Sequence, residues 1–158
     1  MIKFFYLCFL LFSGITNANP VIDRFFNSEI DPPLYRVKPA SFLVNELSKS
    51  CDDMASGSSE VIRRDCYFTV LGELSAFLKS RLKSRIDQVK RPNQHEMYTK
   101  KDAEKMIKYM LTVQHQFDKY YDAECNEDLY LPGFVGSGVS VFISQCKMEL
   151  LINRINQL

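Results

Sequence analysis

The chain has 158 residues and a nearly balanced charge, with 20 Lys and Arg residues against 19 Asp and Glu residues. This length suits one domain with a modest core, and no internal repeat or low-complexity tract indicates a second domain. Because a neutral chain has no overall basic excess to neutralise phosphates, its charge argues against nucleic acids and anionic membranes as partners.

Residues 1–18 read as a secretory signal peptide. Lys3 precedes the apolar run 4–12, and Thr16 and Ala18 occupy the −3 and −1 positions of an A-x-A-like cleavage site. The run is too short to span a bilayer, so a retained membrane anchor is the less favoured alternative. Cleavage removes one lysine and no acid, which leaves an exported chain without formal net charge and without membrane contact.

Four cysteines remain after cleavage: Cys51, Cys66, Cys125 and Cys146. In an exported protein an even set of cysteines predicts disulfides, although three connectivities are possible. We favour pairs of sequence neighbours, Cys51 with Cys66 and Cys125 with Cys146, each of which contributes about 3 kcal/mol to stability. Zinc is the competing use, but no close C-x-x-C pair is present. We therefore expect neither a metal site nor a cofactor.

Residues 19–50 read as an extended N-terminal arm. Its four prolines forbid a long helix and favour extended conformations, although a short helix is plausible over 40–50. The arm either wraps the helical core or binds a partner through its Pro-Pro-Leu-Tyr segment.

A long amphipathic helix follows, with apolar positions recurring from Val61 to Val89. Its other face carries a basic run, for which a solvated outer face is the default interpretation and a specific binding role the alternative. This run comprises Lys79, Arg81, Lys83, Arg85, Lys90 and Arg91. Gly72 in mid-helix costs about 1 kcal/mol relative to Ala, which suggests close helix packing at that point.

A third amphipathic segment begins at Thr99 and Asp102, a pair typical of a helix N-terminus. Its apolar positions recur every three or four residues as far as Cys125, and after a loop a last helix carries Cys146. These apolar positions are Met106, Ile107, Met110, Val113, Phe117 and Tyr120. The sequence therefore predicts an all-α fold, an irregular disulfide-stapled bundle of three main helices with an extended N-terminal arm.

The segment ending at Cys125 resembles the L-x-x-Q-x-x-W-x-x-y-R-D-a-e-C signature of the LprI-type lysozyme inhibitor N-terminal domain, a family of small exported bacterial proteins. The matching positions are Leu111, Gln114, Phe117, Tyr120, Asp122, Ala123, Glu124 and Cys125, followed by Gly136, Ser137, Gly138, Cys146, Arg154 and Leu158. The resemblance covers residues 51–158 and implies a helical domain there. Phe117 stands where the family usually has Trp, Tyr121 stands in place of Arg, and residues 74–81 lack the D-x-x-L-N-x-x-Y motif. We expect Gln114 and Asp122 to hold the hairpin together.

The resemblance also implies a periplasmic or secreted protein that blocks a cell-wall muramidase, a lysozyme, by protein-protein contact. The candidate contact is the loop bounded by Cys125 and Cys146, because aromatic groups on a tethered loop are common interface anchors; covering the hairpin core is the alternative role. Its candidate residues are Leu129, Tyr130, Leu131, Phe134 and Val135. The other function left open is a secreted interaction module of the envelope or host interface without a hydrolase target.

An enzyme is the weaker interpretation, and we expect no catalytic residue. The two histidines, His95 and His115, lie outside any recognisable nucleophile motif. A Cys-His pair would need a free thiolate, whereas the four remaining cysteines are expected to be oxidised.

Overall fold

The computed structural model describes residues 38–56, 60–91, 99–126 and 137–158, together with four single positions, Ile22, Arg24, Phe26 and Arg36. Within this part of the chain there are four helices and no strand. They are α1 (Ala40–Ala55), α2 (Glu60–Lys90), α3 (Lys100–Glu124) and α4 (Ser137–Asn156). The all-α prediction is confirmed, but the described residues form four helices where three main helices were expected. The predicted signal peptide lies outside them.

Helix α1 is longer and more central than the short helix expected at the end of the arm. It starts directly after Pro39, whose φ of −59° already suits a helix, and it continues to Ala55. Leu43, Leu47 and Cys51 repeat every four residues and have no exposed surface. Because this apolar spacing persists through the polar residues around Cys51, the helix does not end at Ser50.

The N-terminal arm is not extended at the positions that the structure describes. Ile22 and Phe26 have helical backbone conformation, and both side chains are buried in the core. The ring of Phe26 packs edge-on against Phe77 of α2, with 5.5 Å between the ring centroids. These two residues therefore cover the bundle, as in the core-wrapping alternative for the arm.

The hydrophobic core lies between α1, α2 and α4, which contact one another in all three pairings. Its fully buried side chains include Leu43, Leu47, Tyr67, Val70, Leu74, Met148, Ile152 and Ile155. Helix α3 packs against α2 but contains no buried residue. Its predicted apolar face is therefore only half covered, with Met106 46% exposed and Tyr120 50% exposed.

Gly72 lies on an exposed side of α2, and a Cβ atom built there meets no heavy atom within 4 Å. The expectation of close helix packing at this glycine is wrong. The core-facing stripe of α2 passes through Val70 and Leu74, and Gly72 points away from both because residues two apart do not share a helix face.

The two predicted disulfides are present and fix the directions of the helices. Cys51 bonds to Cys66, which joins the end of α1 to the start of α2. Cys125 directly follows α3 and bonds to Cys146 in α4. All four sulfur atoms are bonded in disulfides, so none of these cysteines is available as a thiolate ligand for zinc. None of the described helices is long and apolar enough to cross a membrane.

Candidate functional site

The Cys125–Cys146 disulfide holds both ends of the segment 126–145 together. The two Cα atoms are 5.8 Å apart, and Cys125 is buried at the C-terminus of α3. Since this segment contains the predicted contact loop, its base is set by the positions of α3 and α4. The candidate site therefore consists of the described side chains around that base.

One residue before Cys146, the side chain of Gln145 anchors α4 to α1. Its Nε2 donates a hydrogen bond to Oγ of Ser48 at 3.1 Å, and Ser48 is buried. The buried ring of Tyr67 from α2 lies beside them. Burial raises the pKa of Tyr67, and the neighbouring Ser48 and Gln145 side chains oppose that rise. Three helices therefore meet at the base of the segment.

Two turns further along α4, Arg154 reaches across to α3. Its Nε donates to Oε1 of Gln114 at 3.1 Å, and one terminal nitrogen donates to Oε1 of Gln157 at 3.1 Å. Gln114 in turn donates from Nε2 to Oδ1 of Asp118 at 2.8 Å. The guanidinium lies over the ring of Phe117, 5.8 Å from its centroid. These contacts replace the water that a buried cation gives up.

Arg154 is only 6% exposed. Burial lowers the pKa of Arg154 from its usual value, and the negative charge of Asp118 acts in the opposite direction. Because an arginine side chain is not deprotonated in proteins, Arg154 stays charged at neutral pH. Arg154 is therefore a permanent cation between α3 and α4. Its guanidinium contacts two amide oxygens and the face of an aromatic ring, and a carboxylate lies nearby.

Next to this network, Tyr121 packs between α3 and α4. Its ring is tilted against Phe117 at 5.9 Å between centroids, and Nζ of Lys147 lies 5.5 Å from its centroid. Burial raises the pKa of Tyr121 to about 12, and the charge of Asp122 adds to the shift. Tyr121 therefore remains neutral at all physiological pH values, and Lys147 supplies a cation from the facing helix.

Residues 51–158 match the family model described as lysozyme inhibitor LprI. The chain belongs to the LprI family. No curated protein and no solved structure matches it significantly. The family is one of inhibitors rather than hydrolases, and its name and the two disulfides are consistent with an exported protein. The matched region contains α2, α3 and α4 and the last part of α1.

Three of the LprI-motif residues named from the sequence come together in the structure, namely Gln114, Phe117 and Arg154. Two further motif residues, Tyr120 and Asp122, lie outside this network. Tyr120 is half exposed, and Asp122 is exposed and acts on Tyr121 only through its charge. The five predicted contact residues, Leu129, Tyr130, Leu131, Phe134 and Val135, lie outside the described residues.

Sequence reasoning missed Asp118, Tyr121 and Lys147 as parts of the LprI hairpin. Asp118 is four residues after Gln114, and Tyr121 is four residues after Phe117, so helical spacing could have placed each pair on one face. Lys147 could not have been found in this way, because its contact with Tyr121 depends on how α4 packs against α3. Within the described ranges, no group of three His, Cys, Asp or Glu side chains is placed to hold a metal ion.

Proposed function

We propose that this chain is an exported inhibitor of a lysozyme-type muramidase and that it blocks the enzyme by protein-protein contact, without a cofactor or catalytic step. Membership in the LprI family over residues 51–158 supports this function. The two disulfides support a periplasmic or secreted location, because such bonds persist in oxidising compartments.

The contact that we propose is made by the segment between Cys125 and Cys146. The observation that supports this assignment is the base of the segment, where the Cys125–Cys146 disulfide and the Gln145–Ser48 bond join three helices. The Arg154–Gln114 bond joins α4 to α3 two turns further along. A loop presented from a fixed base loses less conformational entropy on binding, so more of its contact energy appears as affinity.

The sequence of this segment suits such a contact. It contains Leu129, Tyr130, Leu131, Phe134 and Val135, which are the apolar and aromatic anchors that we propose. Residues 126–145 include Glu127 and Asp128 but no Lys or Arg. A locally acidic sequence suits a cationic enzyme, as lysozymes usually are, even though the chain as a whole is almost neutral.

The test is a lysozyme activity assay on cell-wall substrate with oxidised protein. The parent chain is compared with a Tyr130→Ala/Phe134→Ala variant and with a matched Phe68→Ala/Tyr109→Ala control. The control removes one Phe and one Tyr that are well exposed on α2 and α3 and that lie outside residues 126–145 of the sequence. We expect inhibition by the parent and by the control, and at least about a tenfold loss in the loop variant.

Circular dichroism on each sample establishes that the helices are intact. Absence of inhibition by a folded, oxidised parent at stoichiometric excess would contradict the inhibitor function. Inhibition that the loop variant retains in full would contradict the proposed contact while leaving the inhibitor function in place.

A further inference from the structure

Helices α2 and α3 project past the end of α4. Arg154 near the C-terminus of α4 bonds to Gln114, and Arg85 of α2 borders the last residues of the chain, Asn156, Gln157 and Leu158. The fourteen residues of α3 before Gln114 therefore extend about 20 Å beyond that bond, at a rise of 1.5 Å per residue. Since α2 and α3 contact each other, they form a two-helix projection opposite to the disulfides.

The two-helix projection and the turns of α2 just before it are strongly basic. We call their described residues, 79–91 and 99–112, the basic tip. It contains ten cationic residues and three acidic ones, Asp87, Asp102 and Glu104. The cations are Lys79, Arg81, Lys83, Arg85, Lys90, Arg91, Lys100, Lys101, Lys105 and Lys108. Because the whole chain has a formal charge of +1, the residues outside the tip carry a net −6. The near neutrality of the sequence thus conceals a basic excess in the tip.

The exposed cations of the basic tip are available to a partner. Nine of the ten are exposed, and Arg81 is half-buried. Of those nine, only Lys105 has a carboxylate partner among the described residues, Asp102 at 3.9 Å. A contact at this distance between exposed groups stabilises the cation little. The field of the tip is therefore not neutralised by nearby acids within the part of the chain that the structure describes.

The exposed face of α3 in the tip also has a specific pattern. Lys101, Lys105 and Lys108 form a row along the helix, because residues three and four apart share a face. Tyr109, which is 71% exposed, borders this row on one side, and Leu111, which is 50% exposed, borders it on the other. Lysines flanked by exposed aromatic and aliphatic side chains are typical of helices that lie in a lipid-water interface.

We propose that the basic tip binds the surface of an anionic phospholipid bilayer. Lysine side chains extend to reach lipid phosphates, while flanking Tyr109 and Leu111 enter the interface between headgroups and acyl chains. A soluble polyanion would satisfy the cations but would offer no environment for the two apolar side chains, and this favours the bilayer. The tip lies opposite to Cys125 and Cys146, which bound the proposed inhibitory segment, and this inference does not depend on the inhibitor function.

The test is binding to vesicles by protein purified from a secretion host, so that its N-terminus is naturally processed. One vesicle type is phosphatidylcholine alone, and the other contains about a third phosphatidylglycerol. This anionic content gives the vesicles a negative surface potential of the size that attracts polybasic segments. The tip variant is Lys100→Glu/Lys101→Glu. These residues lie in the first turn of α3, where negative charge suits the helix dipole and the fold is kept. The matched control, Lys49→Glu/Lys119→Glu, makes the same charge change at exposed positions outside the tip.

We expect the parent and the control to bind anionic vesicles and to be released by salt. The tip variant should bind roughly thirtyfold more weakly or worse, because each lysine near an anionic surface contributes about a fivefold gain. A Tyr109→Ser variant should bind more weakly than the parent without a change in the salt dependence.

Three results would overturn the proposal: no vesicle binding, equal binding to both vesicle types, or an equal loss in the tip variant and its control. Binding of a soluble polyanion such as heparin without vesicle binding would also overturn it and would assign the tip to a polymer instead. Lysozyme inhibition in solution is measured on the same variants. Because the tip variant should inhibit as the parent does, this measurement distinguishes a failure of membrane binding from a failure of the inhibitor function.

Discussion

The Nε atom of Arg154 donates a hydrogen bond to Oε1 of Gln114 at 3.1 Å and thereby joins α4 to α3. Helix α3 buries no residue completely, and it is held by its packing against α2 and by a few specific contacts. These contacts are the Arg154 network, the packing of Phe117 and Tyr121 against the core and the Cys125–Cys146 disulfide. The Arg154–Gln114 bond is the one among them that satisfies a buried charge.

Gln114→Ala should lower the free energy of unfolding by about 1–3 kcal/mol, because it leaves a donor of the buried Arg154 without an acceptor. Gln116→Ala is the matched control, since Gln116 is exposed on the same helix and should change stability by no more than about 0.5 kcal/mol. Chemical denaturation of the oxidised proteins measures both values. Equal stabilities of the two variants would mean that the bond does not hold α3 in place.

Gly72→Ala should stabilise the protein by about 0.5–1 kcal/mol, because the residue is exposed within α2 and the added methyl group meets no atom within 4 Å. The reverse exchange, Ala76→Gly, takes place at an exposed position one turn later and should destabilise by a similar amount. Thermal melting of both variants beside the parent checks the pair. A lower melting temperature for Gly72→Ala would show that the glycine serves a purpose other than helix formation.

Local features of the fold were predictable from the sequence, because they depend on residues close together in the chain. The start of α3 is an example, since Thr99 and Asp102 form the expected reciprocal cap, with Asp102 N donating to the Thr99 hydroxyl at 3.2 Å and Thr99 N donating to Asp102 at 3.1 Å. The disulfides between sequence neighbours are another. In both cases a short-range rule matched the packing.

Features that depend on how helices pack were not predictable in the same way. The apolar spacing of α3 indicated a buried face, but the core between α1, α2 and α4 leaves no room for it, and α3 lies outside. Asp122 was named as a hairpin residue, whereas Asp118 is the acid that Gln114 contacts. The basic run of α2 was predicted from the sequence, but its combination with the lysines of α3 was not, because net charge does not show where charges lie once α2 and α3 are side by side.

Stability at alkaline pH should depend on Tyr121. Burial raises its pKa in the folded protein to about 12, above the ordinary value near 10. Folding therefore favours the neutral phenol, and this contribution is complete below pH 10 and is lost as the pH rises towards 12. As the pH rises from about 10 to 12, the free energy of unfolding should fall by about 1 kcal/mol less for Tyr121→Phe than for the parent, after allowance for solvent screening.

Tyr120→Phe is the control for this measurement, because Tyr120 is the adjacent residue and is half exposed. Denaturation at a series of pH values should give the same alkaline decline for Tyr120→Phe as for the parent. If Tyr121→Phe declines as steeply as the parent, the buried phenol is not a source of the alkaline instability.

The two disulfides should have the same effect on stability but different effects on inhibition. Cys51→Ala/Cys66→Ala and Cys125→Ala/Cys146→Ala each open a loop of similar size, with sequence separations of 15 and 21, so each should cost about 3 kcal/mol. Only the second pair ties α3 to α4 across the two ends of the segment 126–145. At a temperature where both variants are folded by circular dichroism, Cys125→Ala/Cys146→Ala should inhibit lysozyme at least about tenfold more weakly than Cys51→Ala/Cys66→Ala, because a loosened loop must be ordered again on binding. Equal inhibition by the two folded variants would contradict a tethered contact loop and would place the inhibitory surface elsewhere on the bundle.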